Sequence, residues 1–360
     1  DVYKTQYMNK TDLYKIDEDI SIARTLDSSF YTDKNIFKTL VTDIFSSTWQ
    51  YGLHINQIRN KNVYPINFLP ETLSESITFT RQDEQINCIS NVCTHRGHVI
   101  CDSPKKGNAL KCRYHGRVFN LDGKMKNAIG FEEAKDFPSV NDNLDHINYK
   151  NWNNFLFFSL NKTYKNLSVL SDIDKRLSDF PFKKLYFSKQ LSNSFEINTH
   201  WAMYCENYLE GFHVPFVHKG LAKEIDNQSY NTEILKNSVL QYANKQDSEK
   251  DLYAHYYWIF PNLMLNFYNW GLSINVVEPI SINKTRVNFF TFPIDGIDFV
   301  EDQIKDLIQV ELEDQQVVES VCRGVKSKFY SSGRYSPKHE KGVHYFHQLL
   351  SKILLKNISK

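Results

Sequence analysis

The chain of 360 residues contains no continuous run of the roughly 18 to 20 apolar residues that a membrane-spanning helix requires. Residues 1–20 are polar and charged, and they lack the apolar stretch of a secretory signal peptide. The 43 basic and 42 acidic side chains nearly cancel, so there is no basic surplus of the kind that binds nucleic acids. These absences predict a cytoplasmic protein that has neither a membrane nor a nucleic acid as its partner.

Cysteine is also scarce, with six residues in the whole chain. In a cytosolic protein of this length, metal ligation is a better use for paired cysteines than a disulfide. Only Cys93 and Cys112 stand next to histidines in a repeated pattern. The other four are predicted to be small buried side chains: Cys88, Cys101, Cys205 and Cys322.

The length and the residue patterns predict two domains preceded by a helical segment. Residues 1–49 contain an amphipathic helical pattern from Phe30 onwards. Residues 50–160 alternate short β-prone runs with Gly, Pro and Asn turns, which is typical of a small all-β domain. Residues 161–360 combine long β-rich stretches with helical patterns near the C-terminus, at 299–327 and 342–356. The predicted fold class is therefore α+β.

The all-β segment contains the first candidate metal site, Cys93-x-His95 followed after 16 residues by Cys112-x-x-His115. Two thiolates and two imidazoles in this arrangement can bind either one Zn²⁺ or a [2Fe–2S] cluster. Each pair mixes cysteine with histidine, and the Cys-x-His spacing is too short for a zinc finger. A glycine follows each histidine-containing segment, at Gly97 and Gly116, where the backbone must turn around the ligands. These features favour the cluster, and zinc remains the alternative.

A second candidate site contains His213 and His218. On a straight helix, two residues five apart point about 140° away from each other, which is poor geometry for sharing one metal. Pro215 is predicted to break the helix between them and so to let the imidazoles converge. A carboxylate from elsewhere would complete the two-histidine, one-carboxylate face of non-haem Fe(II) enzymes. The residue pattern leaves four candidates for that carboxylate: Glu311, Glu313, Asp314 and Glu319.

Both motifs resemble those of a known family. CTHRG and CRYHG resemble the Rieske motif of the ring-hydroxylating oxygenase α subunits, and ENYLEGFHVPFVH resembles that family's mononuclear iron motif. The resemblance covers residues 25–355 and keeps the family's order of motifs. It implies a Rieske domain at 50–160 and a helix-grip catalytic domain at 161–360, on which residues 1–49 pack.

The resemblance also implies the roles of individual residues. His213, His218 and Asp314 match the ligands of the mononuclear Fe(II), and Glu210 matches an acidic bridge between a cluster histidine of one subunit and an iron histidine of the next. Asn207, in the same motif, is a further candidate catalytic residue. The family implies a homotrimer that receives electrons from a reductase or ferredoxin and uses O₂ with a small organic substrate.

Within the family, the segments CENYLEGFHVPFVHKGLA and IFPNLMLNFYNWG resemble the choline monooxygenase branch, to which glycine-betaine and carnitine oxygenases are close. A quaternary ammonium substrate needs a cage of aromatic faces. The candidates near the iron motif are Trp201, Tyr204, Phe260, Phe267, Tyr268 and Trp270. The sequence leaves open monooxygenation, N-dealkylation and aromatic ring dioxygenation. Two alternatives without this chemistry are a Rieske electron-transfer protein and a zinc-stabilised binding module.

Overall fold

The computed structural model describes residues 13–58, 60–163, 167–226, 228–246, 252–297 and 301–358. The chain divides into two compact units. One unit consists of Phe45–Asn166, and the other combines Asp1–Ile44 with Leu167–Lys360. Among the described residues, no helix is both long enough and apolar enough to cross a membrane.

The unit of Phe45–Asn166 contains three antiparallel sheets of three strands each, in the orders β1-β9-β8, β2-β3-β4 and β5-β6-β7. Apolar and β-branched residues dominate the central strands, and every residue of β9 is buried. The strands are β1 (Gln50–His54), β2 (Val63–Phe68), β3 (Glu75–Gln82), β4 (Gln85–Ser90), β5 (Leu110–Lys111), β6 (Val118–Phe119), β7 (Met125–Asn127), β8 (Asn148–Trp152) and β9 (Phe155–Ser159). Short helical turns occur at Ile55–Ile58 and Val140–Asp142.

The ligand-bearing loops of this unit lie over a small apolar core. Ile89, Leu110 and Phe119 are fully buried in it, and the side chains of Cys93 and Cys112 pack in the same cluster. The core therefore fixes the start of each ligand loop, because a cysteine in the core cannot move without disturbing its packing.

The other unit is built on one antiparallel sheet of seven strands, in the order β10-β16-β15-β14-β13-β12-β11. The strands are β10 (Ser188–Ile197), β11 (Asn231–Leu235), β12 (Ser238–Asn244), β13 (Leu252–Ile259), β14 (Leu263–Tyr268), β15 (Gly271–Ser281) and β16 (Lys284–Pro293). Strands β13 to β16 are consecutive neighbours, and the turns that connect them are short. The long β-rich runs of the sequence correspond to these strands.

The described helices of this unit include two long ones near the C-terminus, α6 and α7. In chain order, the helices are α1 (Ser29–Thr32), α2 (Lys34–Leu40), α3 (Val169–Arg176), α4 (Trp201–Tyr208), α5 (Val214–Val217), α6 (Glu301–Gly324) and α7 (Lys341–Ile358). The described part of the chain also contains a π-helical turn at Val41–Phe45 and 3₁₀ turns at Phe182–Lys184 and Leu221–Lys223. The helical patterns predicted at 299–327 and 342–356 correspond to α6 and α7. The α+β fold class is confirmed, with antiparallel sheets and separate helices in one chain.

Candidate metal centres

The two ligand loops of the first site have the same backbone geometry. The N–H of Gly97 donates to the carbonyl of Cys93 at 3.0 Å, and the N–H of Gly116 donates to the carbonyl of Cys112 at 3.1 Å. Both glycines adopt left-handed conformations, with φ of 71° and 76°. Only glycine adopts that conformation without a steric cost. Each loop therefore turns tightly, four residues after its cysteine.

The four donors of this site separate into two pairs. Nδ1 of His95 lies 3.1 Å from Nδ1 of His115, and both rings are at least partly exposed. The thiols of Cys93 and Cys112 are buried, and the pKa of Cys93 is raised first by burial and then by its hydrogen bond with Cys112. The two thiols are thus neighbours, and so are the two imidazoles. A Rieske-type cluster requires this arrangement, because two cysteines bind one of its irons and two histidines bind the other.

The same donors are too dispersed for one zinc ion. Among the described residues, the one group of three or more potential ligands whose donor atoms all lie within 4.8 Å of one another is His213, His218 and Asp314. A tetrahedral zinc binds all four of its donors at about 2.0 to 2.3 Å from the ion, so these donor atoms must lie closer to one another than the 4.8 Å limit. The geometry of the first site consequently fits a two-iron cluster better than zinc.

A residue that the sequence did not single out connects the two loops. Arg117, which is 3% exposed, follows the second ligand loop and donates to Oγ1 of Thr94 in the first loop at 3.1 Å. Its guanidinium lies 4.7 Å from the ring centre of Phe131 and 5.1 Å from that of Phe137. The signal that the sequence offers for it is an arginine immediately after the YHG of the second ligand motif.

The other four cysteines are buried, as predicted: Cys88, Cys101, Cys205 and Cys322. Burial strongly raises the pKa of the Cys88 and Cys205 thiols, which keeps them protonated and unreactive. His98 contributes its carbonyl, which accepts from the N–H of Cys93 at 2.9 Å.

At the second site, His213 and His218 flank the short helix α5 as its N-terminal and C-terminal caps. The prediction that Pro215 breaks a helix between them is wrong. Pro215 lies in the first turn of α5, where a missing N–H costs nothing, and the chain has already left the helix after Tyr208. With one ring at each end of a four-residue helix, the ring centres are 5.1 Å apart.

Helix α6 brings a carboxylate to both rings. Oδ1 of Asp314 lies 3.0 Å from Nε2 of His218 and 3.4 Å from Nε2 of His213. The other carboxylates that the pattern allowed have different partners. Glu313 faces Nδ1 of His218, Glu319 accepts from the N–H of Asn198, and Glu311 accepts from Tyr204. Two imidazole nitrogens and one carboxylate oxygen thus converge in the arrangement that suits Fe(II).

The electrostatics of this site favour positive charge between the three side chains. Burial lowers the pKa of His213, but hydrogen bonds to Asp314 and Glu210 outweigh it and raise that pKa to about 9. Burial raises the pKa of Asp314, yet hydrogen bonds from His213 and His218 lower it on balance. A divalent cation would replace these shared protons, since it needs neutral imidazoles and an ionised carboxylate.

Glu210 is held in the loop before His213. Its Oε1 lies 2.6 Å from Nδ1 of His213, and its Oε2 accepts from the backbone N–H groups of Phe212 and His213. The outer nitrogen of each histidine therefore meets a carboxylate, Glu210 at His213 and Glu313 at His218. Such partners orient the imidazoles and increase their basicity as ligands.

A cavity adjoins the three converging side chains, and Asn207, Glu210 and Glu311 line it as well. Glu311 is 5% exposed, and burial raises the pKa of its carboxyl to about 7, against the hydrogen bonds from Tyr204 and Gln315. Asn207 is part of the cavity lining, and its catalytic role stays a prediction.

The aromatic lining of the cavity differs from the expectation. Of the six aromatic residues predicted to form a cage, only Tyr204 and Tyr268 line this cavity. Trp201, Phe260, Phe267 and Trp270 are buried elsewhere, because neighbouring residues of a strand or helix point in different directions. The other aromatic residues of the lining are Phe195, Tyr208, Tyr230, Tyr256 and Phe289.

Two protein-family models match the chain. One, described as the Rieske [2Fe-2S] domain, covers residues 48–138, and the other, described as the ring hydroxylating alpha subunit (catalytic domain), covers residues 187–356. Each match contains one of the two candidate centres. The chain thus has both a cluster domain and a catalytic domain.

Relatives and solved structures agree with these matches. The chloroplastic choline monooxygenase of Beta vulgaris is 28% identical over 349 residues, which cover 92% of this chain and 77% of that protein. The carnitine monooxygenase oxygenase subunit of Escherichia coli K12 is 27% identical over 374 residues, which cover 92% of this chain and 94% of that protein. A crystal structure of a quaternary ammonium Rieske monooxygenase with L-carnitine superposes with a TM-score of 0.80 at 24% identity, covering 93% of this chain and 97% of that one.

Proposed function

Because the chain belongs to the Rieske non-haem iron oxygenases, we propose that it hydroxylates a small quaternary ammonium compound, with O₂ and with electrons from a separate reductase or ferredoxin. The observation that supports the substrate class most directly is the cavity next to His213, His218 and Asp314. Seven aromatic side chains line it, together with the buried carboxylate of Glu311. Aromatic faces and carboxylates both attract a cation that cannot donate a conventional hydrogen bond.

We assign the cofactors to the residues that converge at each centre. Cys93, His95, Cys112 and His115 would hold the [2Fe–2S] cluster, and His213, His218 and Asp314 would hold the mononuclear Fe(II). The iron, when bound, supplies the activation of O₂, while the protein supplies ligands, orientation and a dry cavity. Hydroxylation of a carbon next to the oxygen or nitrogen of such a substrate would yield an aldehyde or a dealkylated amine.

We also propose that the chain works as a homotrimer in which Glu210 connects neighbouring subunits. Its support is the 2.6 Å contact between Glu210 and Nδ1 of His213, which places a carboxylate directly behind a predicted iron ligand. The resemblance supplies the other half of the bridge, a cluster histidine of the next subunit. A carboxylate shared by two imidazoles would shorten the path of the electron and orient both rings.

Iron analysis and a turnover assay test the proposed cofactors and substrate class. The purified protein should contain three irons per chain, two of them in the cluster. With a reductase, it should convert choline or L-carnitine to an oxidised product that mass spectrometry detects. His213→Ala should keep the visible spectrum of the cluster but lose turnover. If only aromatic acids were oxidised, the substrate class would be wrong and ring hydroxylation, the second candidate, would replace it.

The trimer is tested separately, by analytical ultracentrifugation. A single species with the mass of one chain would contradict it.

A further inference from the structure

We propose that Glu311 is a specificity-determining residue that makes the cavity select a cationic substrate whose remaining polar group is uncharged, and reject substrates that also carry a carboxylate. The proposal rests on the proposed function, because it assumes that the cavity binds a quaternary ammonium compound. It deepens that function by predicting which members of the substrate class this chain accepts.

The first support is the balance of charge along the cavity wall. Of the described residues that line it, none is a lysine or an arginine. Its acidic residues are Glu210, Glu311 and Asp314, and its histidines are the two predicted iron ligands. The remaining polar residues are amides and hydroxyls, such as Asn193, Asn275 and Thr291. A wall of this kind can hydrogen-bond an alcohol but provides no counter-ion for a carboxylate.

The second support is that Glu311 is the carboxylate that the metal site does not use. Asp314 faces both histidines, and Glu210 is occupied by Nδ1 of His213 and by two backbone N–H groups. Among the described residues, Glu311 is therefore the acidic residue of the lining whose carboxylate contacts neither predicted iron-binding histidine. Its negative charge would attract a cationic substrate.

The third support is the way in which Glu311 is held. Its Oε2 accepts from the hydroxyl of Tyr204 at 2.6 Å, and its Oε1 accepts from Nε2 of Gln315 at 2.9 Å. Two neutral donors fix the carboxylate against the wall, but no cationic side chain of the described structure forms an ion pair with it. Burying an ionised carboxylate without a positively charged partner costs free energy, because the charge loses its contact with water. A cation bound in the cavity would offset that loss.

The consequence differs between two kinds of quaternary ammonium compound. Choline would place its ammonium group near Glu311 and its hydroxyl among the amides. L-Carnitine and γ-butyrobetaine would bring a carboxylate into a cavity that already contains Glu311 and contains no basic partner. Binding sites that leave a buried charged group unpaired discriminate strongly against it.

The test measures equilibrium binding to the iron-loaded protein under anaerobic conditions, by calorimetry at pH 8, above the pKa of about 7 that burial gives Glu311. Four probes are compared: choline, its uncharged carbon isostere 3,3-dimethylbutan-1-ol, L-carnitine and γ-butyrobetaine. In the wild-type protein, choline should bind roughly ten-fold tighter than its isostere and than either carboxylate-bearing compound. Glu311→Gln should weaken choline binding by about ten-fold and leave the isostere within about two-fold.

Asp306→Asn serves as the matched control, because it removes an exposed acid from the same helix and does not line this cavity. It should leave all four affinities unchanged. Equal or tighter binding of L-carnitine, or an unchanged choline affinity in Glu311→Gln, would overturn the inference while leaving the proposed function intact. Failure of every quaternary ammonium compound to bind would overturn both.

Discussion

Nδ1 of His218 lies 2.8 Å from Oε2 of Glu313, while Nε2 of the same ring lies 3.0 Å from Oδ1 of Asp314. Two consecutive residues of helix α6 thus engage opposite sides of one imidazole. Glu313 also accepts from Nε2 of Gln309 at 2.9 Å, so its carboxylate is held in place from a second direction. This arrangement orients the ring so that Nε2 faces the predicted iron position.

The first prediction follows from that contact. Glu313→Ala should weaken Fe(II) binding at the mononuclear site by about 10- to 100-fold, because the ring of His218 loses the partner that orients it. Titration with Fe(II) of protein from which only the mononuclear iron has been removed would measure the affinity, and the visible spectrum would show that the cluster is retained. Asp306→Ala, an exposed acid on the same helix, should leave the affinity unchanged. An equal loss in both variants would mean that the overall charge of α6 matters rather than this contact.

The second prediction concerns the glycine between Glu210 and His213. A Cβ atom at Gly211 would overlap the ring of Tyr230, so Gly211→Ala must displace either that ring or the loop that carries both residues. We expect a loss of about 1 to 3 kcal/mol in unfolding free energy and weaker Fe(II) binding. Adding Tyr230→Ala should restore Fe(II) affinity by removing the clash. Gly220→Ala is the control, since nothing lies within 4 Å of its added Cβ. If the double variant bound Fe(II) no better than Gly211→Ala alone, the steric explanation would fail.

The third prediction concerns the arginine between the cluster loops. Arg117→Met should destabilise the cluster-bearing unit by roughly 2 kcal/mol, because Thr94 loses its buried donor and two phenylalanine rings lose a stacked cation. The loss of visible absorbance on heating would report it as a lower midpoint temperature. Arg113→Met removes an exposed arginine from the same ligand loop and should leave the midpoint unchanged. Identical midpoints for Arg117→Met and the wild type would show that the contact does not hold the loops together.

The fourth prediction is a pH dependence that arises from His200. This residue caps helix α4, is fully buried, and accepts from the N–H of Ala202 at 3.2 Å. Burial lowers the pKa of His200 to about 3, below the value of about 6.5 in an unfolded chain. Between these two values the unfolded state binds one more proton, so stability falls as the pH falls below about 6.5.

His200→Asn should remove this dependence while keeping a capping acceptor. Between pH 8 and pH 5 the wild-type protein should lose about 2 kcal/mol more unfolding free energy than the variant. Denaturant unfolding at the two pH values would measure the difference, and His146→Asn, at an exposed position, should behave like the wild type. Parallel losses in wild type and His200→Asn would contradict the assignment.

The residue types of both centres could be read from the sequence because each ligand pair is local. Cys-x-His and Cys-x-x-His place two donors on one short loop, and no distant element is needed to bring them together. The strands and the C-terminal helices were also predictable, since alternation and helical periodicity are properties of short segments. Among the carboxylates of α6, however, the pattern alone left four candidates, and only the resemblance selected Asp314.

Tertiary structure decided what the local pattern could not. It turned Asp314 toward both histidines, Glu313 toward the far side of His218, and Glu311 into the cavity, because residues of one helix point in directions 100° apart per step. It also selected the aromatic lining, bringing Tyr256 of β13 and Tyr268 of β14 together through the register of paired strands. The sequence by itself therefore determined which chemistry the chain supports, and the packing of distant elements decided which side chains line the cavity.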